Sequence, residues 1–291
     1  MFQSLADRSI SSSAQRRDQG TNRARRLLAM FGKCCLCLQQ AELQDSHLLP
    51  RALYRMIGRG TDRLHPDTVQ LTLNSQRRSS EQARRHLLCS RCEQCLNQNG
   101  EKWVLHNCYR GQGHFRLRSE LRKRTTLSGA EIEAYSASEG EVARLGYFCL
   151  SVVWRASLCD WFCRGQRYQQ VDLGPYQEEI RKYLRGEATV PNHVGVMVIL
   201  SALDRPVLAM SLPFSYRENS HHCHRFHIPG VTFVATVGGR EEDRISVLQT
   251  PHPILIGTMG DKRAQDEMML LLGKTPPRGF EAPLVDGTEK V

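Results

Sequence analysis

The sequence predicts an α+β fold, and three of its features lead to that prediction. Residues 146–163, GYFCLSVVWRASLCDWFC, have aromatic and leucine side chains at spacings of three and four, which is typical of a helical face. The other positions are also mostly apolar, so we expect this helix to be buried nearly all round. Several short apolar runs after it are typical of strands, and before it two tight groups of cysteines lie in a polar segment.

The charge of the chain, +10 in total, is divided unevenly along its length. Residues 1–30 contain six arginines and two acids, residues 31–125 contain 17 Lys/Arg and eight acids, and residues 126–291 contain 17 Lys/Arg and 20 acids. A basic first half beside a slightly acidic second half predicts that only the first half binds a polyanion, most plausibly nucleic acid. Arginines that merely keep a loop-rich region in solution are the alternative.

Polar segments divide the chain into four predicted parts. Residues 1–30 form a disordered basic arm, 31–125 a cysteine-rich domain, 126–275 an α+β accessory domain and 276–291 a disordered, proline-rich tail. The arm lacks the apolar core of a secretory signal, and no run approaches the roughly 18 apolar residues that a membrane span needs. We therefore expect a cytoplasmic protein with no membrane partner.

The accessory domain contains one further helix and a series of strands. LGPYQEEIRKYLRGE reads as an amphipathic helix with Pro175 near its start and Gly186 at its end. The segments VGVMVIL, PVLAMSL, GVTFVATVG and PILIG read as short strands, and Val69–Leu73 reads as a strand in the first half. HHCHRFH, at 221–227, could bind a metal, but alternation on an edge strand, or chance, is the simpler explanation.

Six of the eleven cysteines fall in the two clusters, where paired Cys-x-x-Cys motifs suggest metal and not disulfides. Cys35 and Cys95 are spare, and Cys92-x-x-Cys95 is itself a possible pair. We prefer the pairs that leave Glu93 directly after the last ligand. Four thiolates in two such pairs suit tetrahedral Zn²⁺ in a structural role. A zinc ribbon that only folds the domain is the alternative. The preferred zinc ligands are Cys34, Cys37, Cys89 and Cys92.

The order of these motifs resembles the zinc-containing HNH endonucleases of the ββα-metal group. The closest likeness is to bacterial HNH-like proteins with the motif SHxxPK…LCxxCE. DSHLLP at 45–50 matches the first element, LLCSRCEQCLNQNGEKWV at 87–104 matches the second, and the likeness extends over roughly residues 31–260. The resemblance implies a zinc-knuckle ββα-metal (HNH-like) N-terminal domain followed by the α+β C-terminal domain.

The resemblance also implies a hydrolase, a nuclease that cuts phosphodiester bonds with the help of a divalent cation. His47 would be the general base, since an ordinary histidine titrates near pH 6.5. Ser46 stands where these proteins usually have a metal ligand, and Arg84 stands where they usually have an asparagine. The residues implied to hold Mg²⁺ or Mn²⁺ lie four apart on one helical face, and they are Glu93, Asn97 and Glu101.

Nucleic acid is the expected partner, with DNA favoured over RNA. Seven arginines of the first half could grip phosphates without reading bases. A catalytically degenerate zinc-knuckle module that binds nucleic acid or a protein is the alternative, and the C-terminal domain could bind a protein partner. The seven arginines are Arg51, Arg55, Arg77, Arg78, Arg84, Arg85 and Arg91.

Overall fold

The computed structural model describes most of the chain between Met30 and residue 257. The described ranges are 30–60, 68–71, 76–79, 81–122, 126–127, 132–163, 166–167, 171–201, 203, 206, 208–218, 220–239 and 253–257. The predicted disordered parts, residues 1–29 of the arm and 276–291 of the tail, lie outside these ranges.

The first half is built around a three-stranded antiparallel sheet in the order β1–β2–β5. A short hairpin of β3 and β4 lies between β2 and β5 in the chain, and β3 corresponds to the strand predicted at Val69–Leu73. The strands are β1 (Met30–Lys33), β2 (Gln40–His47), β3 (Thr68–Leu71), β4 (Gln76–Ser79) and β5 (Arg84–Cys89).

Helices follow β2 and β5. The helix after β5 is interrupted by a π turn, Asn97–Glu101, and a π turn holds more residues than an α turn. Gly100 lies in this turn, where an added Cβ would lie 3.0 Å from the backbone nitrogen of Phe148. The helices of the first half are α1 (Arg51–Gly60), α2 (Ser90–Leu96), α3 (Lys102–Asn107) and α4 (Arg116–Arg122).

The second half confirms the two predicted helices. The long apolar helix α5 (Glu139–Ser157) begins with a capping box at Ser138 and is buried from Leu145 to its end. Helix α6 (Tyr176–Leu184) follows Pro175 and ends before Gly186, whose φ of 72° suits glycine.

A seven-stranded, mostly antiparallel sheet lies against α5 in the order β11–β12–β13–β10–β14–β7–β6. Phe148 of α5 contacts Phe226 and Phe233 of this sheet edge to face. The strands are β6 (Thr126–Leu127), β7 (Ile132–Ser136), β10 (Val194–Ser201), β11 (Ser211–Glu218), β12 (His221–Ile228), β13 (Val231–Val237) and β14 (Pro253–Gly257), while β8 (Phe162–Cys163) and β9 (Gln166–Arg167) form a separate hairpin.

Two details of the sheet differ from the sequence predictions. The strand predicted at PVLAMSL, 206–212, begins only at Ser211, and the described residues before it, 206 and 208–210, belong to no strand. The histidine-rich segment was predicted on an edge strand, but β12 pairs with strands on both sides. Of its histidines, His221, His224 and His227 are buried, whereas His222 is exposed.

One hydrophobic core runs through both halves of the described chain. It extends from Leu36 and Leu53 in the first half, through Trp154 of α5, to Phe226 and Phe233 in the sheet. The fold is thus α+β as predicted. Among the helices within the described ranges, none has the length and apolar character that a membrane crossing requires.

Candidate metal centre and basic hairpin face

The four preferred cysteines come together in space. Their sulfur atoms all lie within 4.8 Å of one another, and the sulfurs of Cys37 and Cys89 are 3.9 Å apart. Four sulfurs at Zn–S distances of 2.3 Å around tetrahedral zinc would be separated by about 3.8 Å. Cys34 and Cys92 are buried and the other two half-buried. The cluster could therefore hold a metal ion such as zinc, as predicted.

The spare cysteines lie outside this cluster. The Cys95 sulfur is 3.3 Å from Asn99 Nδ2 and 3.6 Å from the hydroxyl of Tyr147. Burial raises the pKa of the Cys35 thiol, which keeps it protonated. The structure thus selects the pairs that leave Glu93 directly after the last ligand.

The first knuckle is shaped by its own backbone. Cys34 N–H donates to the Gln39 carbonyl at 2.9 Å, and Leu38 N–H donates to the Cys34 carbonyl at 2.8 Å. Leu38 has a left-handed φ of 62°, which closes the turn. The Cys34 sulfur accepts from Cys89 N–H at 3.3 Å, so the second knuckle is tied to the first.

The cluster favours thiolate at one of its sulfurs. The Cys92 thiol hydrogen-bonds to the Cys34 sulfur and lowers the pKa of Cys34 to about 4, and the same bond raises the pKa of Cys92. A thiolate, and not a thiol, is the form that binds a metal. Zinc would displace the proton that Cys92 shares with Cys34, and it would favour the deprotonated form of all four sulfurs.

Helix α6 of the second half holds this knuckle. Arg181 Nη1 donates to the carbonyl of Leu36, between the first two cysteines, at 2.7 Å. Arg181 also pairs with Glu178 at 2.8 Å. The Arg185 guanidinium lies within electrostatic reach of Cys37 and Cys92. A zinc ion with four thiolates carries a net charge of −2, so a nearby cation is a suitable neighbour.

His47 is the last residue of β2 and is half-buried. Burial lowers its pKa below 6.5, and two smaller effects raise it, a hydrogen bond with the Gln82 side chain and the charge of Asp45. Arg51 and Arg84 also act to lower the pKa. The imidazole is therefore neutral at pH 7 and able to accept a proton.

The face of the hairpin that carries His47 is polar, while the opposite face is buried at Ser46. His47 pairs with Arg84, and Arg84 Nη1 binds Asp45 Oδ2 at 2.6 Å, with both side chains partly exposed. Ser46 lies on the other face, where it is 1% exposed and donates to the Gln44 carbonyl. Ser46 therefore does not share the His47 face.

The carbonyl of His47 is held by a residue from α5. Arg155, 1% exposed, donates from Nη1 to this carbonyl at 2.8 Å and from Nη2 to Glu101 Oε1 at 2.5 Å. Sequence reasoning missed Arg155. The sequence did contain a signal for it, an arginine inside an otherwise apolar helix. A buried arginine needs a partner, so this position predicts a buried ion pair or hydrogen bond.

Glu101 therefore does not continue the face of Glu93 and Asn97, as the uninterrupted helix predicted. The π turn alters the angle between Asn97 and Glu101, and the carboxylate turns into the core to meet Arg155. Asn97 is exposed. Glu93 is half-buried, and its Oε1 is shielded from solvent with no hydrogen-bond partner among the described residues.

Among the predicted phosphate-binding arginines that the structure describes, two neighbours lie on opposite faces of β5. Arg85 points to the face opposite Arg84, where its guanidinium lies 5.3 Å from the Phe162 ring and binds the Asp160 carbonyl. The side chains of Arg77 and Arg78 lie outside the described part of the chain. Those that the structure describes as exposed are Arg51, Arg55, Arg84, Arg85 and Arg91.

Comparison with protein-family models, with curated proteins and with solved structures finds no match for this chain. The four-cysteine cluster is a zinc-knuckle-like feature, and the short distances between its sulfur atoms are the evidence for it.

Proposed function

We propose that this protein is an HNH-like, metal-dependent endonuclease that hydrolyses phosphodiester bonds of nucleic acid. The observation that supports the proposal best is the setting of His47. It is a neutral, half-buried imidazole on a polar face beside Arg84 and within the field of Arg51. Such a group can take a proton from water, while guanidinium groups hold the phosphate.

The chain offers two residues for a Mg²⁺ or Mn²⁺ ion. Glu93 fits, because a shielded carboxylate oxygen without a partner among the described residues is what an ion would satisfy. Asn97, one helical turn further on and exposed, could add an amide oxygen. Glu101 does not fit, since Arg155 already neutralises it. The ion would stabilise charge on the leaving oxygen.

A non-enzymatic module that binds nucleic acid is the second candidate. Two observations favour it: Ser46 faces the interior, and the carboxylate of Glu101 is committed to a buried ion pair. Both reduce the number of ligands for a catalytic ion. The exposed arginines would still bind phosphates in a salt-dependent manner.

The two candidates are separated by assaying DNA and RNA with Mg²⁺ or Mn²⁺ and then with excess EDTA. We expect cleavage of DNA that needs the divalent cation and falls by roughly 10²–10⁴ in His47→Ala, with unchanged affinity for the substrate. His114→Ala, which removes an exposed histidine from a separate turn, is the control. Wild-type protein that binds DNA and RNA but cuts neither would leave only the binding module.

A further inference from the structure

A second histidine shares the face of His47. In the β2–β5 ladder His47 lies opposite Arg84, and Asp45 lies opposite His86. Residues paired directly in antiparallel strands present their side chains to the same face, and diagonal neighbours are about 7–8 Å apart. His47 and His86 are diagonal neighbours of this kind, and Arg84 lies on the same face beside both.

A β-bulge brings His86 to this face. The register of the ladder shifts between Gln44 and Asp45. In an unbroken ladder His86 would lie opposite Ser46, whose side chain is buried, and would point into the core. The extra residue reverses this direction. Bulges are common beside active sites, where they redirect a side chain.

The members of this face differ in exposure and charge. His47 is half-buried, whereas His86 is exposed to solvent. Arg84 has 60% of its side chain exposed, and its bond to Asp45 Oδ2 engages one end of the guanidinium. An exposed pair of this kind is weak, so the other N–H groups of Arg84 are available to a phosphate.

We propose that this face also cleaves RNA without a divalent cation, by transfer of the phosphoryl group to the neighbouring ribose 2′-oxygen. His47 is the general base, His86 the general acid, and Arg84 the group that stabilises the phosphoryl oxygens. The proposal shares His47 with the proposed function but needs neither Glu93 nor a metal ion.

The reaction balances within the substrate and the two histidines. The 2′-oxygen attacks phosphorus and gives its proton to His47. The bond from phosphorus to the 5′-oxygen breaks, and the 5′-oxygen takes a proton from His86. The products are a 2′,3′-cyclic phosphate and a 5′-hydroxyl, and the two histidines return to their first states by exchanging protons with water.

RNA is the substrate because its own 2′-hydroxyl is the nucleophile. A hydroxyl next to the phosphate makes the attack intramolecular, which supplies much of the rate that a metal-bound water would otherwise provide. DNA has no 2′-hydroxyl, so this route is closed to it. Two acid–base groups, each within about 3 Å of its oxygen, would supply the proton transfers.

The test uses the full chain with its zinc, in buffer freed of Mg²⁺ and Mn²⁺ by a chelating resin. The substrates are a single-stranded RNA, the same RNA with 2′-O-methyl groups, and DNA of the same sequence. We expect cleavage of the unmodified RNA alone, with 2′,3′-cyclic phosphate ends. His86→Ala and His47→Ala should each reduce it by 10² or more, whereas His114→Ala should not.

The same substrates and variants also distinguish this activity from the proposed function. Metal-dependent cleavage of DNA should survive His86→Ala, and metal-free cleavage of RNA should survive Glu93→Ala, so either activity can be lost without the other. Identically purified variants control for contaminating ribonuclease, and His86 is exposed, so its substitution leaves the core intact. Absence of metal-free RNA cleavage, or cleavage that His86→Ala leaves unchanged, would overturn the proposal.

Discussion

Buried histidines in strand β12 show how single residues respond to their surroundings. Burial lowers the pKa of His224 to about 4, helped by His222 and opposed by Asp172, and burial likewise lowers the pKa of His227 to about 4. Each Nδ1 has a partner, Ser215 Oγ at 2.9 Å and Thr232 Oγ1 at 2.7 Å. The Nε2 atom of each is shielded and has no partner within the described chain.

This burial predicts a loss of stability in mild acid. The unfolded chain takes up a proton on each histidine below pH 6.5, whereas the folded chain does so only near pH 4. The stabilisation is therefore complete above pH 6.5 and is lost as the pH falls. Between pH 7 and pH 5 the free energy of unfolding should drop by about 2 kcal/mol per histidine.

Urea denaturation at several pH values measures this dependence. His224→Gln, which keeps a polar side chain but does not titrate, should flatten the curve between pH 7 and pH 5. His114→Gln, at an exposed position, should leave the curve as it is in the wild-type protein. An equal acid response in both variants would contradict the assignment.

At the scale of the elements, Arg155 joins α5 to the π turn and to the end of β2. It is 1% exposed, while the side chain of its partner Glu101 is 11% exposed. A charge buried in this way is stable only with its partner, and removing one member of such a pair costs about 3–5 kcal/mol. The interaction therefore fixes the backbone at His47 from within the core.

We expect Arg155→Met to lower the free energy of unfolding by about 3–5 kcal/mol, since Glu101 would be left buried and unpaired. Adding Glu101→Met to this variant should recover part of the loss, because the charge is removed with its partner. Chemical denaturation measures both changes. Arg144→Met, at an exposed position of the same helix, is the control; an equal effect there would exclude a special role for the pair.

The elements whose apolar pattern is long were predicted well from the sequence. Helices α5 and α6 and strands β10, β13 and β14 lie where periodicity indicated, because these segments have clear caps or strong β-branched runs. Strand β11 was placed too early, since PVLAMSL is apolar enough for a strand yet mostly outside the ladder. Apolar composition alone does not show which backbone N–H and C=O groups form hydrogen bonds with a neighbouring strand.

The candidate site was predicted only where local spacing determines it. The four cysteines follow from two Cys-x-x-Cys pairs. The position of Glu101 could not be predicted, because the π turn depends on a distant partner, Arg155, and on the close approach of Gly100 to α5. The register shift between β2 and β5, which places His86 opposite Asp45, has no local sequence motif that we could identify beforehand.

At the scale of the whole molecule, the cysteine cluster and the core are parts of one structure. Arg181 ties α6 to the first knuckle, and the core continues from Leu36 to Phe233. A metal-free cluster would leave four sulfur atoms within 4.8 Å of one another with no ion between them. Binding of zinc is then also folding energy.

We expect about one tightly held zinc per chain, and loss of both zinc and fold in Cys92→Ser. Unfolding should extend to the second half, so the fluorescence of the buried Trp154 and Trp161 should shift along with the circular dichroism. Cys95→Ser, at a cysteine outside the cluster, should keep the zinc. Elemental analysis that finds no zinc in fully folded protein would contradict this expectation.

The π turn also limits which changes of length the gene can tolerate. Loss of one codon between Asn97 and Gly100 would leave a regular α-helix and rotate the residues after it by about 100° relative to those before it. Glu101 would turn away from Arg155, and a residue with a Cβ would meet Phe148. Residues 112–114, by contrast, are all exposed, so a deletion of the same size there would remove no buried side chain. The buried contacts of the π turn therefore fix the number of residues in this helix, whereas no such contact fixes the length of the exposed turn at 112–114.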